Sequence, residues 1–177
     1  MAYITVNETG TFPALILSTD VANSNVGITG NGFVAGNSAT LLNVTCLQDV
    51  TITNSTGIFS WTDFCSAAIN KVTTPSDNEI STNIVIDPTG WFGANSAGTT
   101  AQDLGVSGLS KNRVEVAFRV QMNNSANVGN AVPANAYFYS GVGYISSLAP
   151  TVSPDSPVWV SPLTIAVNGD MGSGTGA

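Results

Sequence analysis

Arg113-Val114-Glu115-Val116-Ala117-Phe118-Arg119-Val120-Gln121-Met122 decides the class of this protein. Val114, Val116, Phe118, Val120 and Met122 hold one parity; Arg113, Glu115, Arg119 and Gln121 hold the other. Side chains of an extended strand alternate between faces, so this two-residue period predicts a strand with one core face and one wet face. The pattern recurs outward. From Leu42 the even positions Leu42, Val44, Cys46, Gln48, Val50 and Ile52 form the inward set, and the interruption at Gln48 predicts a bend or bulge. Residues 79–87 turn Ile80, Ile84 and Ile86 inward and Glu79, Asn83 and Asp87 outward. Residues 136–148 are aromatic and β-branched, and Gly141 and Gly143 predict a bulge or bend there. A proline-rich turn follows, then a run over 157–168 in which Pro162 predicts an edge strand or a break.

Helix signals are scarce. Residues 61–69 predict a short helix capped by Thr62 or Asp63, and residues 101–106 a further single turn. Residues 20–39, 90–108 and 123–134 are Gly/Asn/Ala-rich and read as irregular, and the tail 169–177 as flexible. The expectation is one mainly β domain over residues 1–177, a β-sandwich or small barrel with one short flanking helix and long loops.

Charge narrows the function. Four basic residues face eleven acidic ones, histidine is absent, and the formal net charge is −7. Such a surface repels a phosphate backbone. A chain without histidine lacks the commonest general base and the commonest metal ligand. No nucleophile elbow, phosphate-binding loop or zinc-protease motif occurs. Asp77 and Glu79 stand two apart after a turn, but no run of oxygen donors accompanies them, so they read as a solvated loop and not as a calcium site. Neither an enzyme nor a cofactor or metal protein is expected. Charged residues make up 8% of the chain, against about a quarter of an average soluble domain. So little surface charge suits a protomer buried against other copies.

Cys46 and Cys65 match no zinc or redox spacing. Cys46 lies on the apolar parity and is expected to be a buried thiol in preference to a disulfide partner. The N-terminus has no basic start or apolar run of signal-peptide length, and residues 14–17 are too short to insert in a membrane, so the expected compartment is a cytosol. Val26, Ile28, Phe33 and Val34 punctuate the Gly-rich segment 20–39. They fit an arm draped over a neighbouring subunit, or an Ω-loop packed on its own domain. Trp91 and Phe92, with Tyr137 and Tyr139, fit core, subunit contact or a sugar-binding platform.

The run Tyr137-Phe138-Tyr139-Ser140-Gly141-Val142-Gly143-Tyr144-Ile145-Ser146-Ser147-Leu148, with a closing strand over 162–170, resembles the corresponding strands of bacteriophage tail tube (major tail) proteins. Residues 42–53 are similar to that family's early strand pair, and residues 61–86 to its short element and second strand; residues 20–39 match no part of the pattern. The resemblance implies a structural subunit that forms six-membered rings, stacked into a hollow tube for genome passage. Its implied partners are copies of itself, other tail proteins and DNA in transient, non-sticking transit, with no membrane and no cofactor. Its implied place is the virion tail, assembled in the host bacterial cytoplasm. On that view Val26, Ile28, Phe33, Val34, Trp91 and Phe92 are expected at subunit contacts, and Asp49, Glu79 and Glu115 in an acidic lumen. Arg113 and Arg119 share the parity of Glu115 and would blunt its charge. A capsid decoration protein and a carbohydrate-binding or adhesin sandwich are the alternatives.

Overall fold

The computed structural model describes residues 13–44, 46–62, 68–123 and 131–176. The elements run β1 (Ala14–Ser18), β2 (Leu42–Val44), β3 (Leu47–Trp61), β4 (Asn70–Val85), α1 (Pro88–Phe92), α2 (Ala101–Lys111), β5 (Glu115–Gln121), β6 (Tyr137–Leu148), β7 (Thr151–Ser153), β8 (Ser156–Val167) and β9 (Gly172–Thr175). All the strands join one antiparallel sheet in the order β2-β1-β5-β6-β8-β4-β3, with β7 added to β8 and β9 to β6. The fold is mainly β, and it carries two short helices where one was expected.

The strand order has a geometric consequence. β2 and β3 are the two ends of the main strand path, yet only residues 45 and 46 separate them in the chain. Three peptide units reach at most about 11 Å. The ends of the sheet are therefore tied side by side, and the sheet must curl. The Cys46 carbonyl accepts the Val85 N–H (3.2 Å) at this junction. One apolar cluster fills the concave side. It joins Leu15 and Leu17 of β1, Phe118 of β5, Ile165 of β8 and Ile80 and Ile84 of β4 to Trp91 of α1 and Leu104 and Leu109 of α2.

Local chemistry explains most element boundaries. Asp87 caps α1 by accepting the Gly90 N–H (2.8 Å), and Pro88 suits the first turn because its missing donor would be unpaired there. Thr100 caps α2, accepting the Asp103 N–H (3.2 Å). α2 kinks at Gly105, where φ is +64° and a Cβ would stand 2.4 Å from the Gly93 nitrogen. Only glycine lets the two helices meet so closely. Pro162 lies in an interior strand, not at a sheet edge. It falls just beyond Leu148 opposite Leu163, the last β6–β8 pair, so β8 is locally an edge on that side.

Three expectations are corrected here. Cys46 is exposed, with φ of +61°, and its thiol is free. The chain breaks between β2 and β3 and the β3–β4 register shifts between Leu47 and Asp49, so Leu47 takes the inward place and parity resumes at Val50. The bulge expected at Gln48 is thus present, and it is what turns Cys46 out of the core. Trp61, expected to open a helix, ends β3; residues 63–67, including Cys65, lie outside the described residues. Gly141 and Gly143 mark close packing and not a bend. A Cβ on Gly143 would stand 2.3 Å from the Ala166 carbonyl oxygen, and one on Gly141 2.9 Å from the Phe118 ring. The β6–β8 register shift lies further on, between Ile145 and Ser147.

The convex side is divided in two. Over β1 and β5 it is covered by the 20–39 segment: Val34 is wholly buried against Ile16, Leu41 and Ala117, with Val21 and Val26 at the margin. The Ser18 hydroxyl donates to the Ala35 carbonyl, and the Arg119 guanidinium (Nη1) donates to the Gly32 carbonyl (3.2 Å). The segment is packed on its own sheet, as in the Ω-loop alternative. Over β3, β4 and β8 no described segment covers the convex side.

Candidate lumen and assembly surfaces

The bare half is ordered by register. Thr53 of β3 lies opposite Glu79 of β4, Glu79 opposite Ala166 of β8, Ala166 opposite Tyr144 of β6, and Tyr144 opposite Glu115 of β5. The next residues along each strand, Ile80, Ile165, Ile145 and Val116, enter the core. This transverse row therefore points away from it. Glu79 and Glu115 stand three strand spacings apart, roughly 14 Å. Asp49 shares the face, further along β3, and its carboxylate accepts the Asn83 N–H (2.8 Å) and the Asn83 side-chain amide (2.7 Å). The three acids picked from sequence are thus brought onto one face. Between them stand Thr51, Thr53, Ser81, Asn83 and Thr164, and these paired rows hold no lysine or arginine.

Glu115 is half-buried and accepts the Asn168 side-chain amide (2.8 Å). Desolvation, then the charge and hydrogen bonding of Glu115, push the Tyr144 phenol above its ordinary pKa.

Of the two arginines expected to blunt Glu115, Arg119 does not stand on this wet face. Arg119 is wholly buried beneath the 20–39 segment, where desolvation lowers its pKa to about 10. Arg113 precedes β5 with φ of +53°, so strand alternation does not place it. The bare half is acidic and polar.

The chain matches no protein-family model and no curated protein. Its fold does match solved structures. A chain in the virion of a native gene transfer agent particle is similar with a TM-score of 0.52 at 12% identity, covering 82% of this chain and 98% of that one. A chain in the tail of an empty gene transfer agent particle, solved by helical refinement with C6 symmetry, is similar with a TM-score of 0.52 at 13% identity, covering 84% and 98%. This chain shares its fold with a chain of a gene transfer agent tail. At such identity the likeness is one of fold.

The expected contact residues divide sharply. Val34 and Trp91 are spent inside the protomer, Val26 and Phe33 are half-buried, and Ile28 and Phe92 are 69% and 65% exposed. No aromatic platform forms from the four residues considered for sugar, since Trp91 is core and Tyr139 packs against it. Asp77 and Glu79 are exposed, and no group of three or more potential metal ligands occurs among the described residues.

Sequence reasoning missed two other surfaces. Ile58, Phe59, Trp61, Ile69 and Val72 are exposed around the far half of the β3–β4 hairpin. Val152, Val158 and Trp159 are exposed on the β7–β8 hairpin. The signal for the first was present in Gly57-Ile58-Phe59-Ser60-Trp61, but a strand that outruns its sheet has no signature of its own.

Proposed function

We propose that this chain is the structural subunit of a phage-like tail tube, assembling into hexameric rings that stack around an acidic lumen. The observation that carries the proposal is the bare half of the sheet: one face across β3, β4, β8, β6 and β5 that holds Asp49, Glu79 and Glu115, with no cation in the rows from Asp49–Asn83 to Thr53–Glu79–Ala166–Tyr144–Glu115. Turned toward a channel, that face repels phosphate over a Debye length of about 8 Å at physiological salt, so DNA passes without sticking. The fold shared with a chain of a C6-symmetric tail supports the ring and the virion as its place. The partners are then copies of itself and other tail proteins, with assembly in the host cytoplasm. Few surface charges and a covered convex half suit a subunit enclosed by neighbours.

Negative-stain electron microscopy of the purified chain across a concentration series tests this. Uniform hollow rings or tubes are expected. Dispersed single particles at every concentration would replace the proposal with a capsid decoration protein or a glycan-binding sandwich.

A further inference from the structure

Two Asn-Gly pairs occur in the chain, Asn31-Gly32 and Asn168-Gly169. A glycine after asparagine has no Cβ to hinder attack of its backbone nitrogen on the asparagine side chain, so each pair can close a five-membered imide. Both asparagines are exposed, and both glycines adopt positive φ, +75° and +92°. Neither glycine N–H has a backbone acceptor among the described residues. Access and glycine freedom therefore do not separate the two pairs. What holds each asparagine side chain does.

Asn31 is held through its oxygen. Its side-chain carbonyl accepts the Phe33 N–H (3.0 Å), which folds the amide forward along the chain, over the Gly32 nitrogen that lies between. An N–H at that oxygen draws charge from Cγ and steadies the oxyanion that attack creates there. No described residue accepts from the Asn31 amide nitrogen, so the leaving group is unrestrained. Asn168 is held through its nitrogen instead. Its amide donates to the Glu115 carboxylate of β5 (2.8 Å), and its backbone N–H donates to the Val142 carbonyl (2.7 Å). The first bond turns the side chain toward β5, and a carboxylate beside the pair resists loss of the Gly169 amide proton.

We infer that Asn31 is a site of spontaneous deamidation in the folded chain, with solvent water as co-reactant and Asn168 as its protected counterpart. The Gly32 nitrogen gives its proton to hydroxide and bonds to the Asn31 Cγ. The Cγ–Nδ2 bond then breaks, and ammonia leaves with a proton taken from water, which regenerates hydroxide. Water opens the imide at either carbonyl carbon. Release of the Gly32 nitrogen from Cγ leaves aspartate at position 31. Release from the Asn31 main-chain carbonyl carbon leaves isoaspartate, whose backbone runs through Cγ and is one atom longer.

The longer backbone disturbs a tight fit. Gly32 is buried, its carbonyl accepts from the Arg119 guanidinium (3.2 Å), and a Cβ on it would stand 2.5 Å from the Phe138 ring. An extra atom immediately before Gly32 pushes it out of register with Arg119 and loosens the 20–39 segment over β5. Asn31 thus marks the age of a protomer and weakens its clasp with time. The inference holds whether or not the chain builds a tube.

The test incubates the purified full chain at mildly alkaline pH in water enriched in heavy oxygen, and reads label at each asparagine by peptide mass spectrometry. In the folded chain Asn31 should react about tenfold faster than Asn168, the worth of one well-placed hydrogen bond. In urea the two rates should draw together. E115Q should speed Asn168 and leave Asn31 unchanged. The isoaspartate fraction, separated and melted beside N31D, should unfold at a lower temperature, because N31D shares its charge but not its added backbone atom. Asn168 reacting as fast as Asn31 in the folded chain, or label entering neither site until the chain unfolds, would overturn the assignment. An Asn168 rate unmoved by E115Q would overturn the protection, and an isoaspartate fraction that melts with N31D the loosening of the segment.

Discussion

Glu79 and Glu115 stand in one transverse row of the sheet, linked through Ala166 and Tyr144, on the face turned from the core. Glu79 is exposed and has little structural duty. Glu79→Lys should change stability by no more than about 0.5 kcal/mol and leave tubes intact. Those tubes should retain DNA at low salt and release it as salt rises, because counterion release drives phosphate contacts. Co-sedimentation of tubes with short duplex DNA across a salt series reads the effect, and equal retention by wild type and variant would remove Glu79 from the lumen.

The packed 20–39 segment makes a contrasting pair of predictions. Val34 is wholly buried against Ile16 and Ala117, whereas Ile28 in the same segment is exposed. Val34→Ala should cost about 2 kcal/mol in denaturant unfolding, the worth of two buried methyl-sized groups. Ile28→Ala should stay within about 0.5 kcal/mol. Equal effects from the two would mean that the segment does not hold this packing in solution.

Gly143 is held against β8. A Cβ at this position would meet the Ala166 carbonyl oxygen at 2.3 Å, and backbone cannot swing aside as a side chain does. Gly143→Ala should destabilise the protomer by about 1–3 kcal/mol, as overpacking does. A thermal melt at wild-type temperature would show that the β6–β8 spacing can relax at no cost.

Tyr144 supplies a pH prediction with a definite sign. Its folded-state pKa lies above the ordinary value of about 10, so the folded chain holds this proton more tightly than the unfolded chain does. The resulting stabilisation is complete below pH of about 10 and is lost as pH rises through the raised value. Glu115→Gln removes the charge opposite and should bring the phenol back toward its ordinary range. Ultraviolet titration of wild type, E115Q and Y144F isolates this one among four tyrosines. A Tyr144 titration unmoved by E115Q would dissolve the coupling.

Periodicity made the local part of this fold legible. The alternation over 113–122 became β5, the interruption at Gln48 became the register shift in β3, and the turn expected from Ala101 became the start of α2. What escaped was set by residues far apart in the chain. Arg119 looks wet by parity, yet it is buried because Gly32, 87 residues earlier, passes over it. Cys46 looks inward by parity, yet a break and a bulge lie on either side of it. The acidic set could be chosen from parity alone, but the shared row of Glu79 and Glu115 required the pairings of β4, β8, β6 and β5. The projecting hairpins were invisible for the same reason, since where a strand outlasts its neighbours is a property of the neighbours.

β1 is wholly apolar apart from Ser18; β2 pairs with one of its edges through Leu15 and Val44, but β5, on its other edge, comes about a hundred residues later, Leu15 pairing with Val120. At a synthesis rate of roughly 5–20 residues per second, Ala14–Ser18 must wait about 5–20 s before the strand that completes its second edge exists. During that interval every nascent chain carries this apolar strand with one edge unpaired. High-level production of this subunit therefore leans on whatever shields that segment at the ribosome, and translation speed across residues 20–115 becomes a determinant of yield.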